Sequence, residues 1–423
     1  MRPACLLPVL ALAMDGASAN MLKRASTLAT RHTRRLARDL RIAFGSVLPR
    51  ETEAQQVIYC KSNPSGADTL SNSTTGTSGS GGASVGKGSS SKGSGTATGS
   101  AAGASASSTW FLTQSYSGSN FFDGWSFWDY TVNGADPTHG TVNYLSQSAG
   151  QSAGLVQINS AGNAVMKVDT TQTVSGNRDA IRITTQQSFT GGLVILDAVH
   201  MPTGCGTWPA FWSNGPNWPT GGEIDIVEGI NNYTDNQSTI HTAPGCALTT
   251  DNPAQLNATA SQVTGGTDCA AATSGNAGCG MASSDDKSFG VGFNDNGGGV
   301  YAMLWISSGI SVFFWERQSI PSDITAGAPQ PKTWGLPAAH WPASDCNPWK
   351  YFYTHVVIVN TALCGDWAGS AWTSTGAAGQ SQSCATRTGY STCAAFVQNE
   401  GASFAEAYWE ITSVKLYNTT GPL

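Results

Sequence analysis

Three acids fall within six residues of the stretch "GGEIDIVEG" at positions 221 to 229: Glu223, Asp225 and Glu228. Side chains alternate between faces along a strand, so Glu223 and Asp225 point one way and Glu228 the other. Ile224 and Ile226 would then share the face of Glu228, which marks that face as the buried one. An unpartnered carboxylate there is costly. One β-bulge between Asp225 and Glu228 adds a residue, restores the parity and sets all three acids in one row. The two glutamates then stand about four strand steps apart, roughly 13 Å at the backbone, and their side chains can lean inward over Asp225. A nucleophilic carboxylate and a proton-donating carboxyl about 5 to 5.5 Å apart are what retaining glycoside hydrolysis requires. Asp225 between them can hydrogen-bond the nucleophile and hold the two pKa values apart. If Glu228 lies on the opposite face, this chemistry fails.

A bare E-x-D-x-x-E is more often a solvated acidic face than a site. Trp208, Trp212 and Trp218, all within fifteen residues of Glu223, shift that balance, because indole faces stack on the apolar faces of sugar rings. Trp208, beside Pro209, is the one expected in the core.

The elements that must position these residues are strands. In "NAVMKVDT" Ala164, Met166 and Val168 alternate with Lys167 and Asp169, and "DAIRITTQ" follows the same rule. "VYAMLWISSGISVFFWER" reads as two strands joined by a Ser-Ser-Gly turn. "KYFYTHVVIVN" and "AYWEITSVKLYN" are further strands rich in aromatic and β-branched residues. No amphipathic helix stands out. From Trp110 onward the pattern predicts a single antiparallel, all-β sandwich.

The remainder of the 423 residues is unlike this domain. Residues 1–19 combine Arg2, a short apolar run and the ending Ala17-Ser18-Ala19, the pattern of a secretory signal peptide. That run falls short of the roughly 20 residues that span a bilayer. Residues 20–61 form a basic leader with nine Lys and Arg against three Asp and Glu. Leu28, Leu36, Leu40 and Ala43 recur at helical spacing, which suits a membrane-surface helix, but the pairs "KR" and "RR" favour a propeptide. Residues 62–109 are a Ser/Gly/Thr-rich linker that cannot bury a core. Its "GASVG" matches a nucleophile-elbow pattern by chance, with no strand-to-helix turn around it. Residues 110–423 hold nine basic against 22 acidic residues, which disfavours a nucleic-acid partner and suits a neutral polysaccharide. Eight cysteines in this region, with no C-x-x-C pair, suggest up to four disulfides rather than a metal site. Glycosylation sequons occur at Asn72, Asn232, Asn236, Asn257 and Asn418. Together these features point to a secreted, extracellular glycoprotein, with the cell wall as one place of residence.

The segments "WPAFW…GGEIDIVEG", "FWDYTVNGADPTHGTVNYL", "HMPTGCGTWPAFW", "STIHTAPGC", "CGDWAG" and "YWEITSVKLYN" resemble glycoside hydrolase family 16, most closely the secreted fungal endo-1,3(4)-β-glucanases, or laminarinases. The resemblance covers residues 110 to 420 and leaves out the leader and linker. It implies a β-jelly roll of concanavalin A-like type with an open, concave glucan cleft, a β-glucan substrate and a monomer. It implies Glu223 as nucleophile, Glu228 as general acid/base and Asp225 as helper, with Trp212 and Trp218 lining the donor side. His241 would lie near the acid/base or serve as a structural histidine. Trp367 would be a further sugar platform or a core residue, and Arg182 would reach a sugar hydroxyl or form an ion pair. No cofactor is implied, although some relatives carry a structural calcium. A cell-wall transglycosylase uses the same carboxylates, and a non-catalytic glucan-binding protein would typically have lost the glutamates.

Overall fold

A computed structural model describes residues 108–423. The expected signal peptide, the leader and all but Ser108 and Thr109 of the linker lie outside the described residues. The expected sandwich is present. One eight-stranded antiparallel sheet runs, in spatial order, through strands Gln262–Thr264, Cys279–Ala282, Gln237–His241, Glu223–Glu228, Thr207–Asn214, Val356–Leu363, Arg182–Thr185 and Trp125–Phe127. The opposing eight-stranded sheet is built around the hairpin of Gly299–Ile306 and Gly309–Glu316, with Gly192–His200 and the closing strand Tyr408–Thr419 at its centre. The hairpin register pairs Ile306 with Gly309, so Ser307 and Ser308 alone make the turn, and Gly309 takes a φ of +143° that a side chain would resist.

Alternation explains how the layers close. From the site sheet, Phe211, Ile224, Val357 and Val359 turn inward; from the other, Val194, Leu196, Tyr301, Met303 and Trp305 meet them in one core. Each large apolar side chain buried in this way contributes about 1.5–3 kcal/mol. The far side of the second sheet is also covered, by a cluster of Leu193, Ile195, Phe313 and Ile324 with Trp315 and Trp334 packed against it.

All eight cysteines of the domain are paired: Cys205–Cys384, Cys246–Cys346, Cys269–Cys279 and Cys364–Cys393. Among the described residues no helix is long and apolar enough to cross a membrane. The sequons differ in access: Asn257 is exposed, whereas Asn236 is buried and Asn232 directs its amide at the sulfurs of Cys205 and Cys384.

Candidate active site

The parity question of the acid strand is resolved by its pairing with Thr207–Asn214. Glu223 faces Asn214, Ile224 faces Ser213 and Asp225 faces Trp212, after which Val227 faces Phe211 and Glu228 faces Ala210. The register shifts between Asp225 and Val227, so Ile226 is the extra residue. Ile226 and Val227 are consecutive yet both fully buried in the core, which a regular strand forbids. The bulge thereby returns Glu228 to the face of Glu223 and Asp225. The strand is preceded by Gly221 and Gly222. Gly222 has a φ of +78°, and a Cβ there would run into the ring of Phe352.

Each glutamate receives an indole. Trp208 donates from Nε1 to Glu228 Oε1 at 2.8 Å, and Trp218 donates from Nε1 to Glu223 Oε2. Trp208 is therefore half-buried beside the site and not the core residue expected from its proline neighbour. It lies two residues before Ala210 on the same face of the strand, where the indole can reach across to Glu228. Trp212, the cross-strand partner of Asp225, directs its Nε1 to Asn360 Oδ1 at 2.7 Å.

His241 pairs with Glu223 across the neighbouring strand, and its Nε2 lies 3.3 Å from Asp225 Oδ2. It thus touches the middle of the row, and its charge acts on Glu223 and on Glu228 alike. Its Nδ1 is buried without a hydrogen-bond partner among the described residues. Among the described residues Arg182 forms no ion pair; its guanidinium lies between the rings of Trp128 and Trp212, at 4.7 and 5.1 Å from their centroids, and the residue is buried. It acts as a prop behind Trp212. Trp367 is half-buried on the Gly365–Gly369 turn and meets Trp208 edge-on, with centroids 5.8 Å apart. It touches the site through Trp208 and packs partly against the core.

Electrostatics sets the row apart from a solvated acidic face. Burial pushes Glu223 up to about 8, and the neighbouring Asp225 adds to the rise, while His241 and the Trp218 hydrogen bond oppose it. Burial likewise raises Glu228 to about 7, against the Trp208 hydrogen bond and His241. Asp225, 1% exposed, is raised well above the usual carboxylate range by burial and by Glu228. Near neutral pH the row therefore holds protons, which lets a carboxyl serve as a general acid. Glu223, Asp225 and His241 also bring one ligand atom each within 4.8 Å of one another, the group among the described residues best arranged to touch a cation. It is the catalytic row itself, so any cation there would compete with the carboxyls' proton chemistry.

Sequence reasoning missed Asn360, which fixes Trp212, and Trp128, which closes the far side of Arg182. It also passed over Asn236 and Ser238, which it read only as parts of a sequon. Nothing local marks Asn360 or Trp128, since both act across strands distant in sequence.

Comparison with known proteins places this geometry. The family description "XgeA-like, catalytic GH16 domain" matches residues 128–417. A probable glycosidase of Schizosaccharomyces pombe is 42% identical over 312 residues, covering 74% of this chain and 70% of that protein. A probable endo-1,3(4)-β-glucanase of Aspergillus niger is 39% identical over 317 residues, covering 74% of this chain but only 40% of that longer protein. Among solved structures, laminarinase 16A from Phanerochaete chrysosporium, crystallised with β-glucans in donor and acceptor sites, superposes with a TM-score of 0.64 at 34% identity, over 73% of this chain and 99% of that one. An elongating family 16 β-1,3-glucosyltransferase superposes with a TM-score of 0.63 at 35% identity, over 73% of this chain and all of that one, at 100%.

Proposed function

The chain belongs to glycoside hydrolase family 16, and from that membership we propose that it is an endo-acting, retaining β-glucanase cleaving β-1,3 and mixed β-1,3/1,4 glucans. The observation that carries this reading is the bulge at Ile226, which lines up Glu223, Asp225 and Glu228 on the outward face of the site sheet. Glu223 attacks the anomeric carbon to form a glycosyl-enzyme while Glu228 protonates the departing oxygen; Glu228 then takes a proton from a water that attacks the same carbon, which breaks the bond to Glu223 and frees the sugar. Asp225 holds Glu223 in place from the next position of the row. Three carboxyls this close release their protons as a set, and Glu223 is raised higher than Glu228 in the free protein. The division of roles therefore rests on the family match and not on the order of the two pKa values.

Trp212 and Trp218 would carry the sugar rings on the donor side, with Trp367 and Trp208 beside the acid/base. The two glutamates suffice for the double displacement, so no metal or organic cofactor is assigned a step. Four disulfides fit an oxidising, extracellular compartment, where a monomer would meet its polysaccharide.

A second reading, transfer of glucan chains in place of hydrolysis, draws support from the likeness to the elongating glucosyltransferase. New reducing ends followed on laminarin and on mixed-linkage glucan, with Glu223→Gln as control, separate the two. A rise abolished by the substitution supports hydrolysis, and a β-anomer seen first by NMR supports retention. Flat reducing ends with a broadening distribution of chain lengths favour transfer. No change in either rejects both.

A further inference from the structure

The bulge needs something to hold it. The backbone ladder between the acid strand and Gln237–His241 runs through Glu223–His241, Ile224–Ile240 and Asp225–Thr239, and then stops. Beyond that point the bulge leaves the carbonyl of Ile226 and the amide of Glu228 without strand partners, and buried backbone groups left unpaired are costly. Two side chains continue the ladder. Asn236 Nδ2 and Ser238 Oγ both donate to Ile226 O, at 3.0 and 2.9 Å. The amide of Glu228 donates to Asn236 Oδ1 at 2.9 Å. Asn236 is itself fixed: its backbone N–H donates to Ser288 Oγ at 2.9 Å, its carbonyl accepts from Ser283 N at 2.7 Å, and its Nδ2 also lies 3.2 Å from Ser238 Oγ. Asn236 and Ser238 are 3% and 2% exposed.

We infer that Asn236, seconded by Ser238, is a positioning residue for Glu228: it holds the bulge in register and so keeps Glu228 in the row with Glu223. This rests on the proposed role of Glu228 as acid/base. The same geometry assigns the fate of the sequon Asn236-Gln237-Ser238. The side-chain amide of Asn236 is engaged inside the protein through both its nitrogen and its oxygen, and an N-linked sugar on that buried nitrogen would fill space occupied by the sheet. The folded protein thus carries Asn236 unmodified, and the sequon spells a structural clamp.

The test uses the full chain secreted from a eukaryotic host, with Asn236→Ala and the milder Ser238→Ala compared with wild type. A displaced acid/base penalises substrates in proportion to how much their leaving group needs a proton. Glucan turnover by Asn236→Ala should fall about a hundredfold, the size of loss that a misplacement of about 1 Å produces. Turnover of a β-glucan oligosaccharide with a dinitrophenyl leaving group should fall much less, and azide should rescue the second step. Ser238→Ala should show the same pattern, more weakly, and stands in for Asn236→Ala if that variant does not fold. Equal losses on both substrates, or no loss on either, overturn the positioning role. Independently of activity, deglycosylation in heavy-oxygen water should leave Asn236 unlabelled in the mass spectrum; a labelled Asn236 overturns the clamp. A wild type inactive on both substrates sinks the glucanase reading, while the labelling result still decides the clamp.

Discussion

Replacing Glu223 with glutamine removes a carboxyl that the fold keeps protonated at a cost, so the variant should be inactive and yet more heat-stable, by an amount that depends on pH. The folded carboxyl is raised from 4.5 to about 8, chiefly by burial. An acid whose folded pKa lies above its unfolded value binds its proton more tightly in the native state. Its contribution is then fully retained below the unfolded pKa, falls as pH rises through the interval between the two, and levels off above the folded pKa. The slope is about 1.4 kcal/mol per pH unit, so near pH 7 wild type gives up about 3 kcal/mol relative to a side chain that does not titrate. Glutamine is isosteric and keeps an oxygen for the Trp218 indole to donate to. Removing this charge also lowers the repulsion that raises Glu228, which adds to the effect with the same sign. With an unfolding entropy of about 2.1 cal/mol/K per residue over roughly 310 residues, 3 kcal/mol corresponds to about 4–5 °C in Tm. Calorimetric scans of both proteins at one scan rate, from pH 4 to pH 8, should show a gap near zero at pH 4 that opens to this value at pH 7. A gap that stays constant with pH, or a variant less stable at pH 7, would refute the picture of a desolvated Glu223.

Two substitutions probe the indole and guanidinium neighbours of the row. Trp208→Phe removes the donor that holds Glu228 down, so Glu228 should rise above about 7 and the basic limb of the pH profile of kcat/KM should move to higher pH, with kcat reduced; an unmoved limb would detach Trp208 from the acid/base. Arg182→Ala leaves Trp212 without its prop between the rings, a contact worth about 1–2 kcal/mol when desolvated. KM for glucan should rise about five- to tenfold with kcat less affected, and a change confined to kcat would contradict a role in supporting the donor-side platform.

The sequence by itself determined a good deal here, because the informative signals were local. Alternation in segments such as "NAVMKVDT" identified strands, since the side-chain period of two is a property of the chain and not of its neighbours. The acid row was legible for the same reason: Ile224 and Ile226 marked the buried face, and parity then demanded one extra residue before Glu228. Eight cysteines announced disulfides, but their pairing, such as Cys205 with Cys384 across 179 positions, depended on the fold. So did the identity of the residues that serve the row. Trp208, Trp212 and Trp218 look alike in the sequence, and only the packing of strands distant in the chain gave one to Glu228, one to Asn360 and one to Glu223. That His241 pairs with Glu223 and touches Asp225 is likewise set by register, which no short segment encodes. Asn236 and Ser238 show the limit most clearly. The three letters that read as a site for sugar on the surface supply, once the ladder beside them breaks at Asp225, the side chains that satisfy the bulge.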